Sequence, residues 1–142
     1  MSKHFLIYWL PPVAWMVFIF PSNEVLTADS TSNLIVPFLR FLFPGAGPES
    51  IETLHIIVRK FTHFLNYAFL AFLLFRAFRS GDKEFRMQWI GYAGCAAIGY
   101  AALDEMAQVL IPARSGSVFD WLIDSLGVIA ALGVIKSRNG RR

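Results

Sequence analysis

Apolar residues dominate four stretches of this chain, and polar ones gather between them. Phe5 to Phe20, Phe61 to Phe78, Met87 to Ile111 and Ser117 to Ile135 are each drawn as a membrane span. A bilayer core asks for about 20 residues, within a range of roughly 17–25. The first stretch is short and carries Pro11-Pro12, so it is expected to be kinked or thin. A fifth run, Leu34 to Phe43, is too apolar to float in water and too short to span. It is expected to lie in the outer interface or to re-enter the bundle. Pro44-Gly45-Ala46-Gly47-Pro48 then breaks the chain, and one helix can run unbroken from Glu49 to Phe78. The fold class predicted is all-α: an integral membrane bundle of four transmembrane helices, in one domain of 142 residues, with an interfacial or re-entrant outer loop after the first span.

Composition agrees. Hydrophobic residues make up 56% and charged residues 16%, against roughly 25% charged in a soluble domain. Lys3 and His4 precede the first stretch, but no small-x-small cleavage site follows it, so it is read as a retained span. Cys95 is the only cysteine, which leaves no internal disulfide or cysteine metal cluster.

Charge sets an orientation. Lys3, Arg76, Arg79, Lys83, Arg86, Lys136, Arg138, Arg141 and Arg142 fall on one side of the drawn topology, and Arg40, Arg59, Lys60 and Arg114 on the other. The positive-inside rule then puts both termini in the cytoplasm. The net charge of +3 comes from short clusters beside apolar segments, which fits a bilayer as partner and not nucleic acid. Gly91, Cys95 and Gly99, and Gly127 with Ala131, form small-residue faces that let helices approach closely. Tight packing within the chain is the favoured use, with a homodimer or another membrane protein as the alternative.

Ionisable groups near hydrocarbon cost roughly 2.5–3.5 kcal/mol each at a helix centre, so those present need a reason. Lys60, His63 and Tyr67 share one face of the second span at i, i+3, i+7. Asp104, Glu105 and Gln108 lie toward the outer end of the third, and Asp120 and Asp124 near the start of the fourth. All converge on the outer leaflet. Asp104 and Glu105 sit about 100° apart on their helix, so one of them is expected to point into the cluster centre.

Three chemistries fit. Arg114, Ser115 and Ser117 before a helix start suit an anion or headgroup, although Ser117 with Asp120 also reads as a capping box. His63 with Asp104, Glu105 and Asp120 offers a carboxylate–imidazole set for acid–base work, but without the spacing of a metal site, so no metal or cofactor is expected. The third is structure alone, with Lys60 or Arg114 neutralising the acids and fixing helix register.

Lys60-x-x-His63-Phe64-x-x-Tyr67, Asp104-Glu105-x-x-Gln108 and Pro112-Ala113-Arg114-x-Gly116-Ser117-x-x-Asp120, followed by Gly127, resemble the VanZ-like membrane protein family. Two positions depart from it: Asp124 stands where the family often has Asn, and only Ser22-Asn23 remains of a polar patch after the first span. The resemblance implies a small multi-pass protein of the bacterial cytoplasmic membrane, in a family whose namesake is linked to lowered susceptibility to the glycopeptide teicoplanin. With the residues above, it leads to the expectation of an outward-facing polar pocket for an anionic lipid or lipid-linked envelope precursor. A non-catalytic accessory protein and an enzyme acting on a lipid headgroup stay open.

Overall fold

The computed structural model describes residues 3–20, 28–110 and 117–139. These form five helices: α1 (Lys3–Ile19), α2 (Ala28–Leu42), α3 (Pro48–Arg79), α4 (Met87–Val109) and α5 (Val118–Asn139). No strand occurs among the described residues. By length and composition, α3 and α5 are long and apolar enough to cross a membrane, and the apolar part of α1, Phe5–Ile19, is shorter. Two helices of the described residues meet this measure, against the four spans expected from the sequence. α4 carries Asp104, Glu105 and Gln108 in its last turns and many small residues before them, which dilutes its apolar character.

The central helix is α3. Pro48 occupies its first turn, where a missing N–H costs nothing and the fixed φ is already helical. It ends where Ser80 (φ 47°) and Gly81 (φ 83°) turn left-handed, and Ser80 N–H closes onto the carbonyls of Arg76 and Ala77. A Cβ at Gly81 would overlap the Tyr8 hydroxyl, so glycine satisfies both the turn and the approach of α1. The helix runs without interruption from the outer break to this turn, as the sequence suggests.

Side-chain partners fix the directions. Lys60 meets Asp120, His63 meets Asp124, and the Phe64 carbonyl meets Gly127. The numbers rise together, so α3 and α5 are parallel, and their interface is the most extensive in the fold. Phe78 packs near Tyr92 and Tyr67 bonds Asp104, so α4 runs antiparallel to α3. Trp121 Nε1 donates to the Ile98 carbonyl at 3.4 Å, while Gly94 faces Leu132, so α4 is antiparallel to α5 as well.

α1 covers one side of this trio. Trp15 Nε1 donates to the Asn66 carbonyl at 3.1 Å, and the Tyr100 hydroxyl donates to the Met16 carbonyl at 2.6 Å. Trp15 meets Phe69 edge-on at 4.8 Å and Trp9 meets Phe78 at 5.2 Å. Both prolines lie inside one continuous helix. The apolar run after the first span is itself part of α2, which packs on α3 with Leu39 and Ile51 buried while Phe38 and Phe41 stay exposed.

One packing expectation is reversed. Gly91 and Gly99 have no side-chain neighbour where a Cβ would stand, and Cys95 is exposed. The inner face of α4 is instead Ala93, Ala97 and Ala101, all fully buried. A helix turns 100° per residue, so two small-residue faces lay within a few positions of each other, and the methyl-bearing one took the interior. Gly127 does pack as expected.

Candidate functional site: a tiered carboxylate cluster

Below the cluster the core is apolar: Leu70, Ala71, Leu74 and Phe75 of α3 meet Trp89, Ala93, Ala97, Val128 and Leu132. Above it, three parallel or antiparallel helices place polar groups in tiers. In the first, Lys60 Nζ lies 2.6 Å from Asp120 Oδ1, with side chains 38% and 21% exposed. One turn further along α3, His63 Nδ1 lies 3.5 Å from Asp124 Oδ1, with side chains 32% and 0% exposed. That separation suits an ion pair but is too long for a good hydrogen bond. In the third, the buried Tyr67 hydroxyl donates to Asp104 Oδ2 at 2.9 Å. Gln108 Nε2 stands 3.5 Å from the same oxygen. Lys60 to Tyr67 spans about 10 Å of helix, so exposure falls to nothing within that depth.

Glu105 closes a fourth side. Its Oε2 accepts the Ser117 backbone N–H at 2.7 Å, holding the end of α4 to the start of α5. That N–H is therefore not free for an anion. The Ser117 carbonyl accepts from the N–H groups of Asp120 and Trp121. The Asp120 side chain is engaged by Lys60 across the interface.

Both Asp104 and Glu105 are buried. The expectation that only one points inward fails because the two cover different neighbours: Asp104 faces Tyr67 on α3, and Glu105 faces the beginning of α5. The arc of 100° between them is enclosed by two elements. Tyr67 is likewise buried and donates from its hydroxyl.

The electrostatics are lopsided. Asp104 Oδ1, Glu105 Oε1 and both oxygens of Asp124 are buried without a hydrogen-bond partner among the described residues. Such groups ordinarily find donors, and an unmade bond leaves the full desolvation cost of the atom, about 1–3 kcal/mol. Ser125 Oγ is a further buried polar atom without a partner; its position next to Asp124 was not singled out by spacing or charge. Arg114 and Ser115 lie outside the described residues, so the structure brings together Lys60, His63, Tyr67, Asp104, Glu105, Gln108, Ser117, Asp120 and Asp124. Among the described residues no group of three or more His, Cys, Asp or Glu is arranged to hold a metal ion.

A second cleft, of about 280 Å³, lies at the other end of α3 between Tyr8, Phe72, Phe75, Arg76, Arg79, Gly81 and Asp82. The Arg76 guanidinium sits over the Tyr8 ring at 5.3 Å. The Arg79 guanidinium donates to the carbonyls of Asp82 and Lys83.

The model of the VanZ/LLP1 family matches residues 5–139, nearly the whole chain. The chain belongs to the VanZ/LLP1 family. Neither a curated protein nor a solved structure matches it. VanZ membership carries a general association with glycopeptide resistance. With two helices long enough to span, it marks this VanZ/LLP1 protein as a membrane protein. The matched region contains every residue of the tiered cluster.

Proposed function

We propose that this VanZ/LLP1 protein is a multi-pass protein of the bacterial cytoplasmic membrane whose tiered chamber opens outward and binds the headgroup of an anionic lipid or lipid-linked envelope precursor. In this reading α1, α3, α4 and α5 cross the bilayer, α2 lies along the outer interface, and both termini are cytoplasmic. The positive-inside distribution of Lys and Arg supports that orientation. The observation that carries the binding reading is the fall in exposure from Lys60–Asp120 to Tyr67–Asp104, together with buried carboxylate oxygens that lack donors. Groups placed only to fix helix register gain nothing from staying unpaired, whereas a ligand site is incomplete until occupied. Lys60 at the rim, with Arg114 and Ser115 of the adjoining loop, would hold the anion; His63, Glu105 and Asp120 would orient the headgroup or act on it. A changed envelope target would follow from holding such a lipid, which connects the site to a glycopeptide phenotype.

The test is lipid retention. Protein purified in native-membrane nanodiscs is extracted and its lipids are measured by mass spectrometry against bulk membrane. Enrichment of a specific lipid whose headgroup carries an anionic phosphate, lost in K60A and H63A at normal membrane yield, supports the reading; bulk composition in all three sinks it. Conversion of an enriched lipid on incubation would make the protein an enzyme.

One observation favours a second reading. The exposed Gly91, Cys95 and Gly99 face is suited to docking against another membrane protein or a second copy. Loss of the cellular phenotype on G91L or G99L, with the chamber variants silent, would favour it.

A further inference from the structure

The acids outnumber the donors around them, and the imbalance is greatest where water is absent. Lys60 already serves Asp120 at the rim. Tyr67 gives its only proton to Asp104 Oδ2, and Ser117 N–H goes to Glu105 Oε2. What remains is acceptor: Asp104 Oδ1, Glu105 Oε1 and the two oxygens of the fully buried Asp124. His63 Nδ1 stands 3.5 Å from Asp124 Oδ1 on the α3–α5 seam, at ion-pair distance, and leaves Asp124 Oδ2 without a partner. A phosphate placed among these oxygens would meet four carboxyl groups, from Asp104, Glu105, Asp120 and Asp124, whose unpartnered atoms are acceptors. An anion is therefore tolerable only at the rim, by Lys60, and the buried tier calls for a group that donates hydrogen bonds and carries positive charge.

The geometry points to a bipartite ligand, and we infer that the chamber selects a headgroup bearing a phosphate and, one short linker away, a primary ammonium. The phosphate sits at the Lys60 tier. The ammonium reaches the Asp124–Asp104 tier, where its three N–H donors meet the oxygens that have none. Asp124 lies one turn beyond Asp120 on α5, about 6 Å along the axis, a span that an ethanolamine phosphate or an amino-sugar phosphate bridges. The inference rests on the headgroup reading above and names which headgroups satisfy it.

The test uses the full chain in phosphatidylcholine vesicles doped separately with phosphatidylethanolamine, phosphatidylglycerol or a polyprenyl phosphate carrying an amino sugar, with retained lipid read by native mass spectrometry. The inference expects an amine-bearing lipid to be retained about tenfold over phosphatidylglycerol, the effect of one charge-assisted hydrogen bond. Which of the two amine lipids is held more tightly separates a glycerolipid from a lipid-linked precursor. D124N should bring amine and non-amine lipids to parity while K60A weakens all three. Should D124N fail to insert, free phosphoethanolamine must displace bound lipid from the unmodified protein where glycerol phosphate does not. Equal retention of phosphatidylglycerol and the amine lipids overturns the ammonium inference and leaves the headgroup reading standing. Retention of none above phosphatidylcholine overturns the headgroup reading itself. Amine selectivity that emerges only in R114Q also overturns the inference, because the loop's own guanidinium would then be the occupant.

Discussion

Gly127 of α5 lies directly against the backbone carbonyl of Phe64 in α3, with no room for a methyl group between them. This contact lies one residue beyond His63 on α3 and three beyond Asp124 on α5, so it sets how closely the two parallel helices approach next to that pair. G127A should push them apart and cost about 1–3 kcal/mol, the usual range for overpacking. Gly91 has open space at the same atom, so G91A should change stability by less than about 0.5 kcal/mol. Unfolding in a graded detergent series compares the two directly.

Glu105 acts through one hydrogen bond to the Ser117 backbone. An amide oxygen can accept that bond as well as a carboxylate can. E105Q should therefore hold the α4–α5 junction within about 1 kcal/mol of the unmodified protein, while E105A leaves the N–H without its acceptor and costs about 1–3 kcal/mol. Hydrogen exchange at Ser117 reads the difference: slow in E105Q, fast in E105A.

Tyr67 is the sole phenol on the Asp104 carboxylate among the described residues, and both groups are buried. Y67F removes a donor from an acid that already has one oxygen unpaired. A loss of about 1–3 kcal/mol is expected, and the Y67F–D104N double variant should lose less than the sum of the two single losses. Additive losses would show that the two groups do not interact.

The parts of this fold that were legible in the sequence are those governed by periodicity. Lys60, His63 and Tyr67 share a face by spacing alone, and the structure turns that face toward α4 and α5. The unbroken α3 followed from a proline at one end and the absence of a breaker before Ser80. What stayed hidden depended on which neighbour covers which side. Ala93, Ala97 and Ala101 repeat every four residues as Gly91, Cys95 and Gly99 do, and only the positions of α3 and α5 decide which set is buried. The same holds for Asp104 and Glu105, whose burial requires two partners on different arcs. Trp15 and Tyr100, which bind α1 to backbone carbonyls, sit in apolar runs where composition gives no hint of a polar tip in use.

Orientation is open to a separate check. The Lys60 side chain is 38% exposed, and in the proposed topology it lies at the outer rim. In a C95S background, K60C should react with a membrane-impermeant maleimide added outside intact cells or spheroplasts, and a cysteine at Lys136 should react only after lysis. The reverse pattern would invert the proposed topology and place the chamber in the cytoplasm.

The convergence of α3 and α5 on one polar chamber is tested most directly by disulfide trapping. With C95S, the pair H63C and D124C replaces side chains whose polar atoms stand 3.5 Å apart. Mild oxidation in native membranes should join them within the chain in most of the protein, while H63C paired with a cysteine at Gly91, on the open face of α4, should stay reduced. Failure of the first pair to cross-link in well-inserted protein, or equal cross-linking of both, would contradict the chamber.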